Sequence, residues 1–165
     1  MTQEPVSALL PELVEELLLG GTCVRLEVGG VSMAPRLRDH DHVIVRPLNG
    51  DDACFGDLLL YRNTAGALIL HRLVRRWRDN HGRRRLQTRG DTNLRLDASI
   101  DTERVLGRVC RIERIGLRQI DLETAGERVR AVIVAAGKLL CSALYYKLGR
   151  AGSQNKIAEA PSSQQ

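Results

Sequence analysis

Lysine is nearly absent from this chain: the first is Lys138, and only Lys147 and Lys156 follow. A serine hydroxyl is a poor nucleophile at neutral pH and needs an adjacent base, so a reactive serine in the first 137 residues has only histidine to draw on. Aromatic residues are also few, with one Trp, one Phe and three Tyr, and the core must rest on Leu, Val, Ile and Ala. Only Trp77 and His81 interleave with the arginines, which leaves little for a base-stacking surface, and no specific nucleic acid is expected as a partner. No Cys-x-x-Cys occurs and no His stands at zinc-ligand spacing from a cysteine, so neither a metal nor another cofactor is expected. Cys23, Cys54, Cys110 and Cys141 read instead as small buried hydrophobes. A secretory leader is missing too: Met1 to Ser7 has no basic residue, and Leu9 to Leu19 is interrupted by Pro11, Glu12, Glu15 and Glu16.

What remains is a basic chain of 165 residues, formally +5, long enough to bury one core without disulfide or metal staples. Its positive charge is almost all arginine, concentrated at Arg72, Arg75, Arg76, Arg78, Arg83, Arg84, Arg85 and Arg89. Such a surface attracts anionic partners, an acidic membrane surface among them, and it equally describes a solvated hairpin kept soluble by charge.

The apolar pattern divides the chain into an amphipathic helix over 1–20, a β domain over 21–122, an apolar helix over 123–150 and a polar, disordered tail over 151–165. Within the β domain, strands are expected at Thr22–Val28, Val43–Val45, Leu58–Arg62, Leu68–Trp77, Arg84–Thr88 and Arg104–Glu113, with Pro47–Phe55 as a loop. Many short strands separated by turn residues point to a mainly β fold, twisted and barrel-like or a sandwich. Between Ala131 and Tyr146 only Lys138 and Ser142 are polar. That run is shorter than the ~20 residues a membrane span needs and carries a central charge. Two readings stay open, a helix packed on protein or lying in a membrane interface, and a span with Lys138 snorkelling; the chain is accordingly expected to be membrane-associated or cytoplasmic.

Five sequence blocks carry the chemistry. They are Ser32-Met33-x-Pro35-x-Leu37 with Asp41; Gly56-Asp57-Leu58-Leu59-Leu60-Tyr61; Ile69-Leu70-His71-Arg72; Thr88-Arg89-Gly90-Asp91-Thr92-Asn93 with Asp97; and Val105-Leu106-Gly107-Arg108-Val109. In order and spacing they resemble the signal peptidase I family, in the endoplasmic-reticulum-like subtype that has His where the common bacterial enzymes have a Lys base. The resemblance covers roughly residues 22 to 113 and implies a β domain of signal peptidase type, a hydrolase that removes leader or signal peptides from precursor proteins. It also implies catalytic roles for Ser32 as nucleophile, His71 as general base and Asp97 as the carboxylate behind His71. Met33 would help form the substrate pocket and Pro35 would stiffen the loop. Asp91, after Gly90, reads as shaping a turn or supporting the site.

A neutral imidazole can take the Ser32 proton and return it to a leaving amine, and it does so best when a carboxylate holds its tautomer. The Ser32 N–H is the evident donor to a developing oxyanion. Gly30 stands where several bacterial relatives carry a hydroxyl, so it brings no side-chain donor and leaves room for substrate backbone. His40, His42 and His81 read as loop or surface residues, and Asp101 as a surface one.

Two other classes compete. A self-cleaving regulator of the related repressor type would need a Ser–Lys pair and usually a helix-turn-helix domain, neither of which is present. A non-catalytic β module binding through its arginines would have no need of Ser32, His71 or Asp97 together. The oligomeric state is not written in the sequence.

Overall fold

The computed structural model describes residues 6–114, 116 and 119–158. The fold is mainly β, an antiparallel sheet of eight strands curled into a half-barrel, with one helix before it and one after. Helix α1 (Val6–Leu19) buries Val14 and Leu18, one turn apart, against the sheet. It ends where Gly21 takes a positive φ of 86°, so that the Gly21 N–H reaches the Leu18 carbonyl and the Thr22 N–H the Leu17 carbonyl, the double bond of a Schellman motif. Arg62, at the end of a central strand, donates to Glu15 at 2.7 Å and ties the helix down.

The strands are β1 (Val24–Glu27), β2 (His42–Pro47), β3 (Leu58–Arg62), β4 (Leu68–Arg78), β5 (Arg84–Arg89), β6 (Ile100–Asp101), β7 (Val105–Glu113) and β8 (Ile120–Asp121). They lie in the order β1-β2-β7-β3-β4-β5-β6, with β8 beside β7. Six lie where the hydrophobic pattern predicts them. The two-residue strands β6 and β8 are too short to carry a period of two and exist only through their neighbours.

Strand β3 is buried on both faces, which accounts for its unbroken apolar run: Leu58 and Leu60 enter one core cluster with Met33, Leu37 and Val43, while Leu59 and Tyr61 enter a second with Leu73 and Leu86. Register then decides what else faces the second cluster. Leu59 pairs with His71 and Tyr61 with Ile69, and across the next seam Leu73 pairs with Thr88. His71, Tyr61 and Thr88 therefore share one face of the sheet.

Helix α2 runs Ala125–Ala158, so it continues past 150 through residues expected to be disordered; residues 159–165 lie outside the described ones, as do 1–5. No proline interrupts the chain between Ala125 and Ala158, and helix propagation is favourable once a turn exists. Its stretch Ala125–Lys147 is 23 residues long and contains an 18-residue window of mean hydropathy 1.4, enough by length and composition to cross a membrane, with 11% of that window buried against the protein. The helix is longer than the apolar run Ala131–Tyr146, whose length and central Lys138 are unchanged, and the residues it adds before that run include Glu127, Arg128 and Arg130. The cysteines also differ from expectation: Cys23, Cys54 and Cys141 are exposed, Cys110 is half-buried, and all four are free thiols. Cys23 precedes a strand, Cys54 lies in a loop and Cys141 is on the outward side of α2, positions whose neighbours offer no apolar cover.

Gly56 has φ +96°, and a Cβ there would stand 2.8 Å from the Ala131 backbone of α2. Gly56→Ala is expected to lower unfolding free energy by about 1–3 kcal/mol, from left-handed strain plus the clash, and a denaturant titration measures it.

Candidate active site

Ser32 lies in the loop after β1, anchored by its apolar neighbours. Met33 and Leu37 enter the core at 2% and 0% exposure, and the Ala34–Pro35 peptide bond is cis. Met33 is therefore a core residue, an apolar anchor that holds Ser32 half-exposed above it. Pro35 is exposed on the same turn. Farther along, Asp41 accepts the Arg38 N–H at 2.9 Å and a fork from Arg114, whose Nη2 donates at 2.6 Å to Asp41 and at 3.2 Å to the Arg36 carbonyl. The Arg114 guanidinium holds the Asp41 carboxyl below the usual carboxylate range.

His71 brings the other components together. Its Nδ1 lies 2.7 Å from Asp97 Oδ2 and its Nε2 3.3 Å from Ser32 Oγ. A carboxylate only accepts, so Nδ1 carries the proton and Nε2 presents its lone pair to the serine. The 3.3 Å separation is long for such a bond, as is common in catalytic pairs without substrate. Among the described residues no protein acceptor takes the Ser32 N–H, whereas the Gly30 N–H donates to Asp39 Oδ1 at 2.9 Å. The Ser32 N–H is thus open, and Gly30, φ +85°, contributes backbone shape.

Asp97 is held by groups that sequence reading did not single out. Thr88, fully buried, donates to Asp97 Oδ2 at 2.8 Å, and the Tyr61 hydroxyl lies 3.0 Å from Thr88 Oγ1 and 3.5 Å from the same carboxylate oxygen. Burial, opposed by the Thr88 hydrogen bond and reinforced by the Asp97 charge, pushes the Tyr61 hydroxyl up to about 12, so it stays a neutral donor. The backbone is fixed as well, with the Asp97 N–H on the Thr88 carbonyl at 3.0 Å and Gln87 Nε2 on the Asp97 carbonyl at 2.9 Å. Tyr61 and Thr88 lie within segments the sequence marks as strands, but which strands abut is a matter of register.

Asp91, read from the sequence as shaping a turn or supporting the site, pairs with a buried cation. Its two oxygens take a fork from Arg72, Nε at 2.9 Å and Nη2 at 2.8 Å, with both side chains under 5% exposed. Arg72 also donates to the Gly56 carbonyl at 3.0 Å. Buried in this way, a carboxylate answers a buried cation; an Asx cap would suffice only at the surface. The neighbouring Gly90 is required by closeness, since a Cβ there would come within 2.9 Å of the Ser32 carbonyl. Thr92 completes the contact, its N–H donating to that carbonyl at 3.0 Å.

The acid loop is further held from α2. Lys138 donates to the Asp91 carbonyl, Arg89 donates to the Lys138 carbonyl and to Ser142 Oγ at 2.6 Å, and Ser142 donates to the Leu94 carbonyl at 3.1 Å. Ala131, Ala135, Lys138 and Ser142 make one stripe facing the protein, while Val129, Val132, Ile133, Leu140 and Leu144 face outward. The hairpin arginines are largely occupied: Arg76 donates to Ala53, Arg78 to Gly82, Arg84 to Asp51 and Arg85 to Asp101, and Arg75 stacks 4.9 Å over Trp77.

No family model, curated protein or solved structure matches this chain.

Asp91→Asn is expected to cost about 3–5 kcal/mol of stability by leaving buried Arg72 without a counter-charge. Asp97→Asn keeps an acceptor oxygen for Thr88 and should cost about 1 kcal/mol or less. Urea denaturation of both variants measures the difference.

Proposed function

We propose that this chain is a serine endopeptidase of signal-peptidase type that removes an N-terminal leader or signal peptide from precursor proteins. The single observation that carries the reading is the line Ser32 Oγ, His71 Nε2, His71 Nδ1, Asp97 Oδ2, at 3.3 and 2.7 Å. In this reading Ser32 Oγ attacks the scissile carbonyl while His71 Nε2 takes its proton, and Asp97 stabilises the imidazolium. The Ser32 N–H donates to the oxyanion. Collapse of the tetrahedral species breaks the C–N bond, with the Nε2 proton leaving on the amine; a water then loses a proton to Nε2 and hydrolyses the acyl-serine. Cleavage after small residues is what the family resemblance implies. Its partner would be a precursor protein or leader peptide, presented beside a membrane that α2 contacts through its outward apolar face.

The direct test is digestion of a proteome-derived peptide library by full-length protein, with new termini identified by mass spectrometry. Cleavage after small residues is expected from wild type. Ser32→Ala should lower it by about 10³-fold or more, and His71→Ala nearly as far because the members act as a unit. Undiminished cutting by Ser32→Ala would overturn the proposal.

On acidification kcat/KM should fall with the uptake of one proton, since a protonated imidazole cannot accept from Ser32. A rate that does not fall at any acid pH at which the fold persists would contradict His71 as base. Thr88→Val, which removes a hydrogen bond to a charged acceptor, should lower kcat about 10- to 100-fold with KM little changed. An effect on KM alone would assign Thr88 to packing.

A further inference from the structure

The first turns of α2 lie over a cavity of about 670 Å³ between the helix and the sheet. Its lining carries eight cationic side chains and four acidic ones, an excess of positive charge in a partly enclosed space. Several of the cations are already committed: Arg72 to Asp91, Arg108 to Glu123 at 3.0 Å, Arg114 to Asp41 and Arg36 to Glu127. Three remain. Among the described residues Arg38 and Arg128 make no side-chain hydrogen bond, and the nearest carboxylate oxygen to Arg130, from Glu127, is 3.7 Å away. Burial pulls the Arg36 guanidinium below its usual range, and Arg130 and Arg72 add to this against the opposing charge of Glu127. An anion seated here would relieve that crowding.

The same cavity also has apolar lining. Phe55, Ile120 and Leu122 line it, and so does Val132, which at 47% exposure also belongs to the outward face of α2. The cationic cavity and the apolar helix face are thus one continuous surface, charged at the start of the helix and apolar along it. An acidic peptide would satisfy the arginines and leave the apolar face in water. An amphiphile with an anionic head satisfies both.

We propose that this cavity binds the phosphate group of an anionic phospholipid, with Arg38, Arg128 and Arg130 on the phosphate and the outward face of α2 in the acyl layer. The site is independent of Ser32 chemistry. Because Lys138 and Ser142 of the same helix hold the Asp91 and Leu94 carbonyls, a lipid bound there would rest on the element that braces the acid loop.

The test uses full-length protein and soluble short-chain lipids below their micelle concentrations. Dihexanoyl-phosphatidylglycerol should raise the melting temperature saturably, and dihexanoyl-phosphatidylcholine should not. Arg128→Gln/Arg130→Gln should weaken the apparent affinity for the anionic lipid about tenfold or more. Arg83→Gln/Arg84→Gln, which removes the same charge from the hairpin, should leave it within about threefold. Full vesicles should repeat the order, phosphatidylglycerol-containing ones retaining wild type and losing the helix variant. Equal losses in the two double variants would mean diffuse electrostatic attraction and overturn the site. Inorganic phosphate stabilising wild type as well as the lipid does would identify a free-phosphate site and overturn the lipid assignment, as would no response to phosphatidylglycerol.

Discussion

The buried fork between Arg72 and Asp91 joins the two halves of the candidate site. Arg72 follows His71 on β4, so its side chain points to the opposite face of the strand. Asp91 sits in the loop that touches the Ser32 carbonyl through Gly90 and Thr92 and leads on to Asp97. One ion pair therefore sets the spacing between the strand bearing the imidazole and the loop that positions both its partners. Desolvating two charges is costly, and such a pair persists where geometry and extra hydrogen bonds compensate; here the bidentate contact is supplemented by the Gly56 carbonyl.

Seen from that pair, the five sequence blocks become one mechanical unit. Gly56 accepts from Arg72 and passes beneath α2 at Ala131, a closeness only glycine permits. Gly107 has the same quality at the sheet seam, where a Cβ would meet the Arg46 carbonyl at 2.6 Å. Met33 and Leu37 fix the nucleophile loop from the core side, and Arg114 with Asp41 fixes its far end. Asp97 receives its hydrogen bonds from Thr88 and Tyr61 on the same sheet face as His71. The Ser32–His71–Asp97 geometry is thus carried by rigid elements and by the neighbours that hold them.

Helix α2 turns the usual arrangement of a surface helix inside out. Between residues 131 and 146 the two polar side chains, Lys138 and Ser142, face the protein, and Val132, Ile133, Leu140 and Leu144 face away. A soluble surface helix normally buries its apolar stripe. The inward stripe of alanines, lysine and serine lets the helix sit close to Gly56 and the acid loop, leaving the apolar surface for something other than this domain.

The six longer strands, both helices and the five blocks were legible in the sequence because they rest on local properties: an unbroken apolar run over Leu58–Tyr61, alternation over Arg84–Thr88, glycines at turns, a long apolar run near the C-terminus. Ser32, His71 and Asp97 were legible through their neighbours in the chain. What local pattern did not reveal was which faces meet. Only strand register put Tyr61 and Thr88 behind Asp97, only packing turned Met33 inward, and only the meeting of β4 with the 90–93 loop made Asp91 the partner of Arg72. The ends of α2 and the two shortest strands likewise depended on contacts rather than on composition. Periodicity is a property of the chain and survives without its fold; pairing between residues 19 or 26 apart, as in Arg72–Asp91 and His71–Asp97, exists only once the sheet has closed around them.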